Sequence, residues 1–303
     1  MGPGIALTLS LGGVRTTIHG LTPELATEGL KGARSLLGVL MENQLIEAAA
    51  AARAAELLSS STAFDETVSA ADLVIESVPE DMKLKRQLFE RMDEIARPEV
   101  VLATNTSGLS VTEIAARCRY PERILTTHFW NPPFVMPLVE IVLGSRTSPD
   151  NAEAVRELLR RCGKTAVIVK KDRPGQLGNR LQHALLREAV NVVAEGIADP
   201  EDVDLAVKTG FGLRMPVYGP FEHADVVGLD MVLSIQDYVS KDLYNEPKAP
   251  DLLQRLVAAG DLGVKTGRGF YDWSKKNVDA VRRLRDGYLL EWARKRGSSP
   301  GGH

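Results

Sequence analysis

One histidine and one glutamate, His128 and Glu140, flank a proline-broken turn in THFWNPPFVMPLVEIV, residues 127–142. Glu140 lies in an apolar run, 138–142, where burying an unpaired carboxylate costs several kcal/mol. The spacing therefore predicts that the chain doubles back and that Glu140 accepts the imidazole N–H of His128. Such a pair selects one tautomer and raises the ring's basicity, which suits a general base working near neutral pH. A core histidine bonded to a core glutamate without any chemistry satisfies the same spacing, so the two residues alone leave both readings open.

The elements that must hold this pair read as strands. ILTTHFW, 124–130, is one and 138–142 the other, with Pro132, Pro133 and Pro137 breaking the backbone between them. Upstream, DLVIESV at 72–78 is a continuous apolar run that suits a strand buried on both faces. A helix follows at 83–96, then a strand at 100–103 ending in the polar cluster Thr104, Asn105, Thr106, Ser107, Gly108, then a short helix at 111–117. This rhythm predicts a doubly wound α/β sheet, whose ligands sit beyond the carboxyl ends of the strands. By that rule Glu80, residues 105–107 and His128 share one rim; helix capping by Thr106 or Ser110 accounts for those two residues equally well.

The remaining chain frames this sheet. Residues 2–11 read as a short helix closed by Gly12 and Gly13, and 14–18 as a strand. Thr22 and Pro23 start a helix, and helix-forming sequence continues to 58 as an arm standing off the sheet. A helix to 162 and a strand at 165–170 follow Ser148. From 172 the sequence is almost all helical, with Gly178-Asn179-Arg180 heading a helix of apolar residues at three and four spacing. Asn179 there is either a cap or a substrate ligand. Lys265 sits in the glycine-spaced loop 262–273, a charged helix covers 277–296, and the tail 298–303 reads as disordered. The expected domains are 1–170 with the arm at 22–58, a helical domain at 171–275, and a terminal helix and tail at 276–303.

At 303 residues, 44% hydrophobic and 25% charged, the composition is that of an ordinary globular protein of two domains. A net charge of −3 gives no electrostatic reason to expect nucleic acid or an anionic membrane. No apolar run approaches the roughly 20 residues of a membrane span and no basic-then-apolar leader opens the chain, so a cytoplasmic location is expected. Cys118 and Cys162 lack metal-ligand spacing and read as reduced.

Together MGPGIA, DLVIESVPEDMKLKRQLF, ATNTSGLSVTEIA, THFWNPPFVMPLVEIV, GQLGNRL, VKTGFG, GPFEHADVVGLD and GVKTGRGFYDW closely resemble, in the same order over residues 1–273, the L-3-hydroxyacyl-CoA dehydrogenase family with its 3-hydroxybutyryl-CoA members. The resemblance implies a Rossmann-like sheet followed by an all-α C-terminal domain, NAD as cofactor, an acyl-CoA substrate of the fatty-acid β-oxidation type, and a homodimer. It implies that His128 takes the proton of the 3-hydroxyl, that Glu140 holds His128 and stabilises its charged form, and that Ser107 and Asn179 hydrogen-bond the reacting oxygen or thioester region. Gly2, Gly4, Glu80, Lys85, Ser107, Asn131 and Lys265 match positions that line the cofactor in the family. Hydride goes to that cofactor, so no metal is required.

Two departures from the family stand out. Met1 precedes the third glycine of the family's dinucleotide fingerprint, here Gly2, so the first strand and the first two glycines are absent. Four to six buried apolar residues at ~1.5–3 kcal/mol each make that strand worth on the order of 10 kcal/mol. The expectation is a start site placed too far downstream, or a truncated sequence. At the second departure Gly20, after His19, occupies the position of the acidic residue that binds the adenosine ribose, which leaves NADP beside NAD. HFWNPP is also similar to relatives that oxidise free hydroxy acids such as gulonate or carnitine, and a catalytically silent member that keeps only the fold is the third reading.

Overall fold

A computed structural model describes residues 1–297 of the chain, and the tail expected to be disordered lies outside the described residues. The chain forms two compact units, one comprising Met1–Arg180 with the last helix from Leu284 onward, the other Leu181–Arg283. These compact units divide at Arg180, and the terminal helix from Leu284 onward groups with the first.

In the first unit, helix α1 (Gly2–Leu11) ends on Gly12, and Gly13 with φ +82° turns the chain into strand β1 (Thr16–His19). Helices α2 (Pro23–Glu42) and α3 (Ala48–Leu57) follow, then strand β2 (Leu58–Ser61), which pairs in parallel with β1. Thr22 caps α2 as its sequence indicates, its Oγ1 accepting from the backbone N–H of Leu25 at 3.3 Å. The expected outlying arm is not there. Leu7 of α1 packs with Leu37, Leu40, Ala51 and Ala54, while Ala6 packs with Ala33 and Leu58. Alanines at these positions let α2 and α3 approach α1 closely and bury an apolar stripe that an isolated arm would expose.

The main sheet runs β3 (Leu73–Glu76), β4 (Val101–Thr104), β5 (Ile124–Phe129), β6 (Leu138–Leu143) and β7 (Thr165–Val169) in that spatial order. All neighbours are parallel except β5 and β6, which are antiparallel. Helices α4 (Phe64–Ser69), α5 (Met82–Ile95) and α6 (Val111–Ile114) cover one face, with Phe89, Met92 and Ile114 in the core, and α7 (Pro149–Arg161) covers the other through Ala152, Val155 and Leu159. Ile5 and Leu9 of α1 join this second cluster with Leu73 and Ile75, so α1 serves both sheets. The strand at β3 is half-buried rather than buried on both faces, because it pairs with β4 alone. Beneath the sheet, buried Arg123 donates to Asp93 Oδ1 at 2.7 Å and to several helix-end carbonyls.

Helix α8 (Gly178–Ala194) leaves the first unit, and α9 (Pro200–Thr209), α10 (Pro220–Val227), α11 (Leu229–Val239) and α12 (Asp251–Ala258) make up the second before α13 (Val278–Gly297) returns. No residue of α9–α12 is buried. No described helix is long and apolar enough to cross a membrane.

Candidate active site

The antiparallel register of β5 and β6 places His128 directly opposite Glu140. Facing residues on one side of a sheet are within side-chain reach, and His128 Nδ1 lies 2.7 Å from Glu140 Oε2. Glu140 is fully buried and has three further donors: Trp130 Nε1 at 3.0 Å on Oε2, and the backbone N–H groups of Leu177 at 3.0 Å and Gly178 at 2.8 Å on Oε1. Burial pushes this carboxyl upward, but the bonds from His128, Gly178, Trp130 and Leu177 outweigh it and hold it down at about 2. An ionised carboxylate only accepts, so Nδ1 carries the proton that faces it, the tautomer whose neutral ring has its lone pair on Nε2. Nε2 has no hydrogen bond among the described residues.

The loop that supplies two of those donors is shaped for the task. Gly175 and Gln176 adopt φ of +77° and +54°, turning successive N–H groups toward the carboxylate ahead of α8. Gly178 lies against the Trp130 indole: a Cβ there would be 2.5 Å from Trp130 Cζ2. The proline turn is pinned by Lys164, whose Nζ donates to the carbonyls of Pro133 at 2.5 Å and Met136 at 3.0 Å.

A second rim cluster forms at the ends of β3 and β4. Glu80 Oε1 accepts from Thr106 Oγ1 at 2.5 Å, from the Ser107 N–H at 3.1 Å and from Ser107 Oγ at 3.4 Å. Asn179 Nδ2 donates to the Ser107 carbonyl at 3.0 Å and Gln176 Nε2 to that of Thr106 at 3.0 Å. Asn105 Oδ1 accepts the N–H of Phe129, tying β4 to the strand of His128. Asn179 falls in the first compact unit and spends its amide on Ser107 rather than on capping α8. Ser110 does cap α6, and it also donates to Asp172 Oδ2 at 2.6 Å.

The positions matched to the cofactor divide. Gly2 opens α1 with free space about it, whereas Gly4 is packed where a Cβ would lie 2.7 Å from Pro133 Cγ. Exposed Asn131 follows β5. Lys85 is buried, its ammonium held by Glu76 Oε1 and Oε2 at 2.7 and 2.9 Å. Lys265 is exposed in the second unit, within a turn whose Gly263 and Gly267 have φ of +73° and +80°. The ends of parallel strands beside a helix N-terminus free of acidic side chains suit a dinucleotide. Gly20, at the position expected of the ribose-binding carboxylate, has no room for a side chain: its Cβ would fall 2.3 Å from the Ala26 nitrogen.

Sequence reasoning missed Trp130, Gln176, Lys164 and the paired N–H groups of Leu177 and Gly178. An indole two residues after the histidine and the glycines of GQLGN were the available signals, but backbone donors carry no side-chain signature.

A family model described as 3-hydroxyacyl-CoA dehydrogenase, NAD binding domain, matches residues 1–173, and the corresponding C-terminal domain matches 175–273. A 5-formyl-3-hydroxy-2-methylpyridine 4-carboxylate 5-dehydrogenase of Mesorhizobium japonicum is 34% identical over 94% of this chain and 91% of its own. A probable 3-hydroxybutyryl-CoA dehydrogenase of Bacillus subtilis is 39% identical over 91% of this chain and 95% of its own. Among solved structures, a 5-formyl-3-hydroxy-2-methylpyridine 4-carboxylic acid 5-dehydrogenase, described as an NAD+ dependent dismutase, superposes with a TM-score of 0.89 at 31% identity, covering 99% of this chain and 96% of the other. The (S)-3-hydroxybutyryl-CoA dehydrogenase of Ralstonia eutropha gives 0.75 at 35% identity over 91% and 96%.

Proposed function

The chain belongs to the 3-hydroxyacyl-CoA dehydrogenase family of NAD-dependent dehydrogenases, and on that premise we propose that it interconverts a 3-hydroxyacyl-CoA and the 3-ketoacyl-CoA, with His128 as general base. The observation that carries the proposal is Glu140: a buried carboxylate with four donors, ionised and bonded to one imidazole nitrogen. His128 Nε2 accepts the hydroxyl proton of the substrate, and the imidazolium so formed keeps its Nδ1–H on Glu140, which offsets the new charge. A bound NAD would supply the acceptor for the hydride of the carbon that bears that hydroxyl. The Ser107 hydroxyl, which rests against Glu80 Oε1 at 3.4 Å, is placed to donate to the reacting oxygen. Asn179 holds the Ser107 carbonyl and so sets where that hydroxyl starts. In the reductive direction His128 returns the proton. Gly2, Glu80 and Asn131 are the first-unit residues left to face the dinucleotide.

A second reading, oxidation or reduction of a small free acid, is favoured by one observation. The pyridine-carboxylate enzyme superposes over nearly the whole chain at a TM-score of 0.89, against 0.75 for the hydroxybutyryl-CoA enzyme. NADH oxidation measured with acetoacetyl-CoA and with free keto acids and 5-formyl-3-hydroxy-2-methylpyridine 4-carboxylate separates the two; turnover of only the free acids would overturn the acyl-CoA proposal.

We further read the second unit as the contact of a homodimer. Helices α9–α12 bury no residue, while Phe221, Val226, Leu233 and Tyr238 on α10 and α11 are 61–84% exposed, apolar side chains that a partner copy would cover. Light scattering after gel filtration tests this, and a mass near 33 kDa would refute it.

A further inference from the structure

Lys85 matches a cofactor-lining position of the family, yet its ammonium points inward. It is 1% exposed and is bonded to both oxygens of Glu76, itself 1% exposed, and to the Val78 carbonyl at 3.4 Å. Glu76 is braced in turn by the Thr104 hydroxyl on Oε2 at 2.7 Å and by the Val78 N–H on Oε1 at 2.5 Å. The same ammonium lies 3.6 Å from Glu80 Oε2. Glu80 thus has one oxygen facing the buried cation and the other accepting from Thr106 and Ser107. A carboxylate with one oxygen drawn toward a fixed cation turns the second toward its other partners.

We propose that Lys85 is a positioning residue: it locks Glu80 so that Glu80 sets the rotamer and height of Ser107, and through Ser107 the donor offered to the reacting oxygen. The proposal rests on the reading that Ser107 donates to that oxygen. The chain of contacts runs from the core of β3 and β4 to the rim: Glu76 to Lys85 at 2.7 Å, Lys85 to Glu80 as an ion pair at 3.6 Å, and Glu80 to the Ser107 N–H at 3.1 Å. Glu76 holds Lys85 in place in the core, and Glu80, whose side chain is 42% exposed, is the member that meets the site. Removing the cation leaves Glu80 held only from the Ser107 side, free to turn outward and take Ser107 with it.

The test compares Lys85→Met with the double variant Lys85→Met/Glu76→Gln, which removes the buried charges together and leaves no uncompensated ion in the core. Steady-state NADH-dependent turnover of the active substrate is measured together with melting temperature. The single variant is expected to lose both stability and kcat. The double variant is expected to recover melting temperature but to keep a kcat roughly 10- to 100-fold below wild type, the loss typical of a reacting group displaced by about 1 Å, with the KM for NADH changed far less than kcat. Recovery of kcat along with stability would show a purely structural pair and overturn the proposal. A raised KM for NADH at unchanged kcat would make Lys85 a cofactor contact and overturn it equally. Ser107→Ala separates this from the reading beneath it. If Ser107→Ala leaves kcat intact, the role of Ser107 itself fails, and the positioning proposal with it. If Ser107→Ala is impaired, adding the double variant to it should cost little more, whereas full additivity would refute the coupling.

Discussion

Gly178→Ala is the substitution whose outcome the site geometry determines most sharply. Gly178 is the first residue of α8, where helix propensity alone favours alanine by up to about 1 kcal/mol. The local packing argues the opposite sign. The new Cβ would stand 2.5 Å from Trp130 Cζ2, whereas comfortable carbon contacts are about 3.5–4.0 Å, so ring and loop must separate by roughly 1 Å. Both bodies are donors to Glu140, Trp130 through Nε1 and the loop through two N–H groups. Weakening one or two bonds to a buried carboxylate, at about 1.5–3 kcal/mol each, exceeds the propensity gain, and a net loss of about 2–4 kcal/mol is expected. Displacing Glu140 also shifts His128, for which roughly 100-fold in kcat is the expected scale. Urea unfolding and steady-state kinetics measure both. In a Trp130→Ala background the clash is gone, so Gly178→Ala should there cost much less than alone. Wild-type stability and turnover in Gly178→Ala, or equal costs in the two backgrounds, would refute this account of the loop.

The depressed carboxyl of Glu140 sets an acid limit. Because its folded value of about 2 lies below the ordinary 4.5, the stabilisation is complete above about pH 4.5 and is lost as pH falls toward 2, about 3 kcal/mol in all, and Glu140→Gln should abolish this segment of the stability curve followed by denaturant titration. Gly20→Asp, the change that restores the family's carboxylate on paper, is expected to lower the melting temperature without lowering the KM for NAD, since the Cβ meets the Ala26 backbone; rates with NAD and NADP check it. Asp93→Ala should destabilise the first unit by about 3–5 kcal/mol in chemical denaturation by stranding buried Arg123, with no specific effect on substrate KM.

Much of the site could be read from residue order because its logic is local. A glutamate in an apolar strand across a proline turn from a histidine has few ways to be satisfied, and β5 and β6 adopt the register that pairs them. The rim assignment of Glu80 and Ser107 follows from strand polarity in the same way. What escaped depended on distant chain segments meeting. The strand β2 is four residues of Leu-Ser-Ser-Ser with no periodic signal, and it exists because β1 offers it a parallel edge. The packing of α2 and α3 on α1 depends on alanines whose smallness matters only once three helices meet. The burial of Lys85 was not legible, because a lysine facing inward from α5 reads the same in sequence as one facing out, and Glu76 meets it from β3.

The central claim is that His128, held by ionised Glu140, carries the proton in an NAD-dependent alcohol and ketone interconversion. Its most direct test is the rate of NADH-dependent reduction by His128→Asn against wild type on the substrate that wild type turns over. Asparagine preserves a donor to Glu140 but has no base at the Nε2 position, so kcat should fall by roughly 10²–10⁴ while NADH still binds and the melting temperature holds. A His128→Asn enzyme that keeps wild-type kcat would contradict the account.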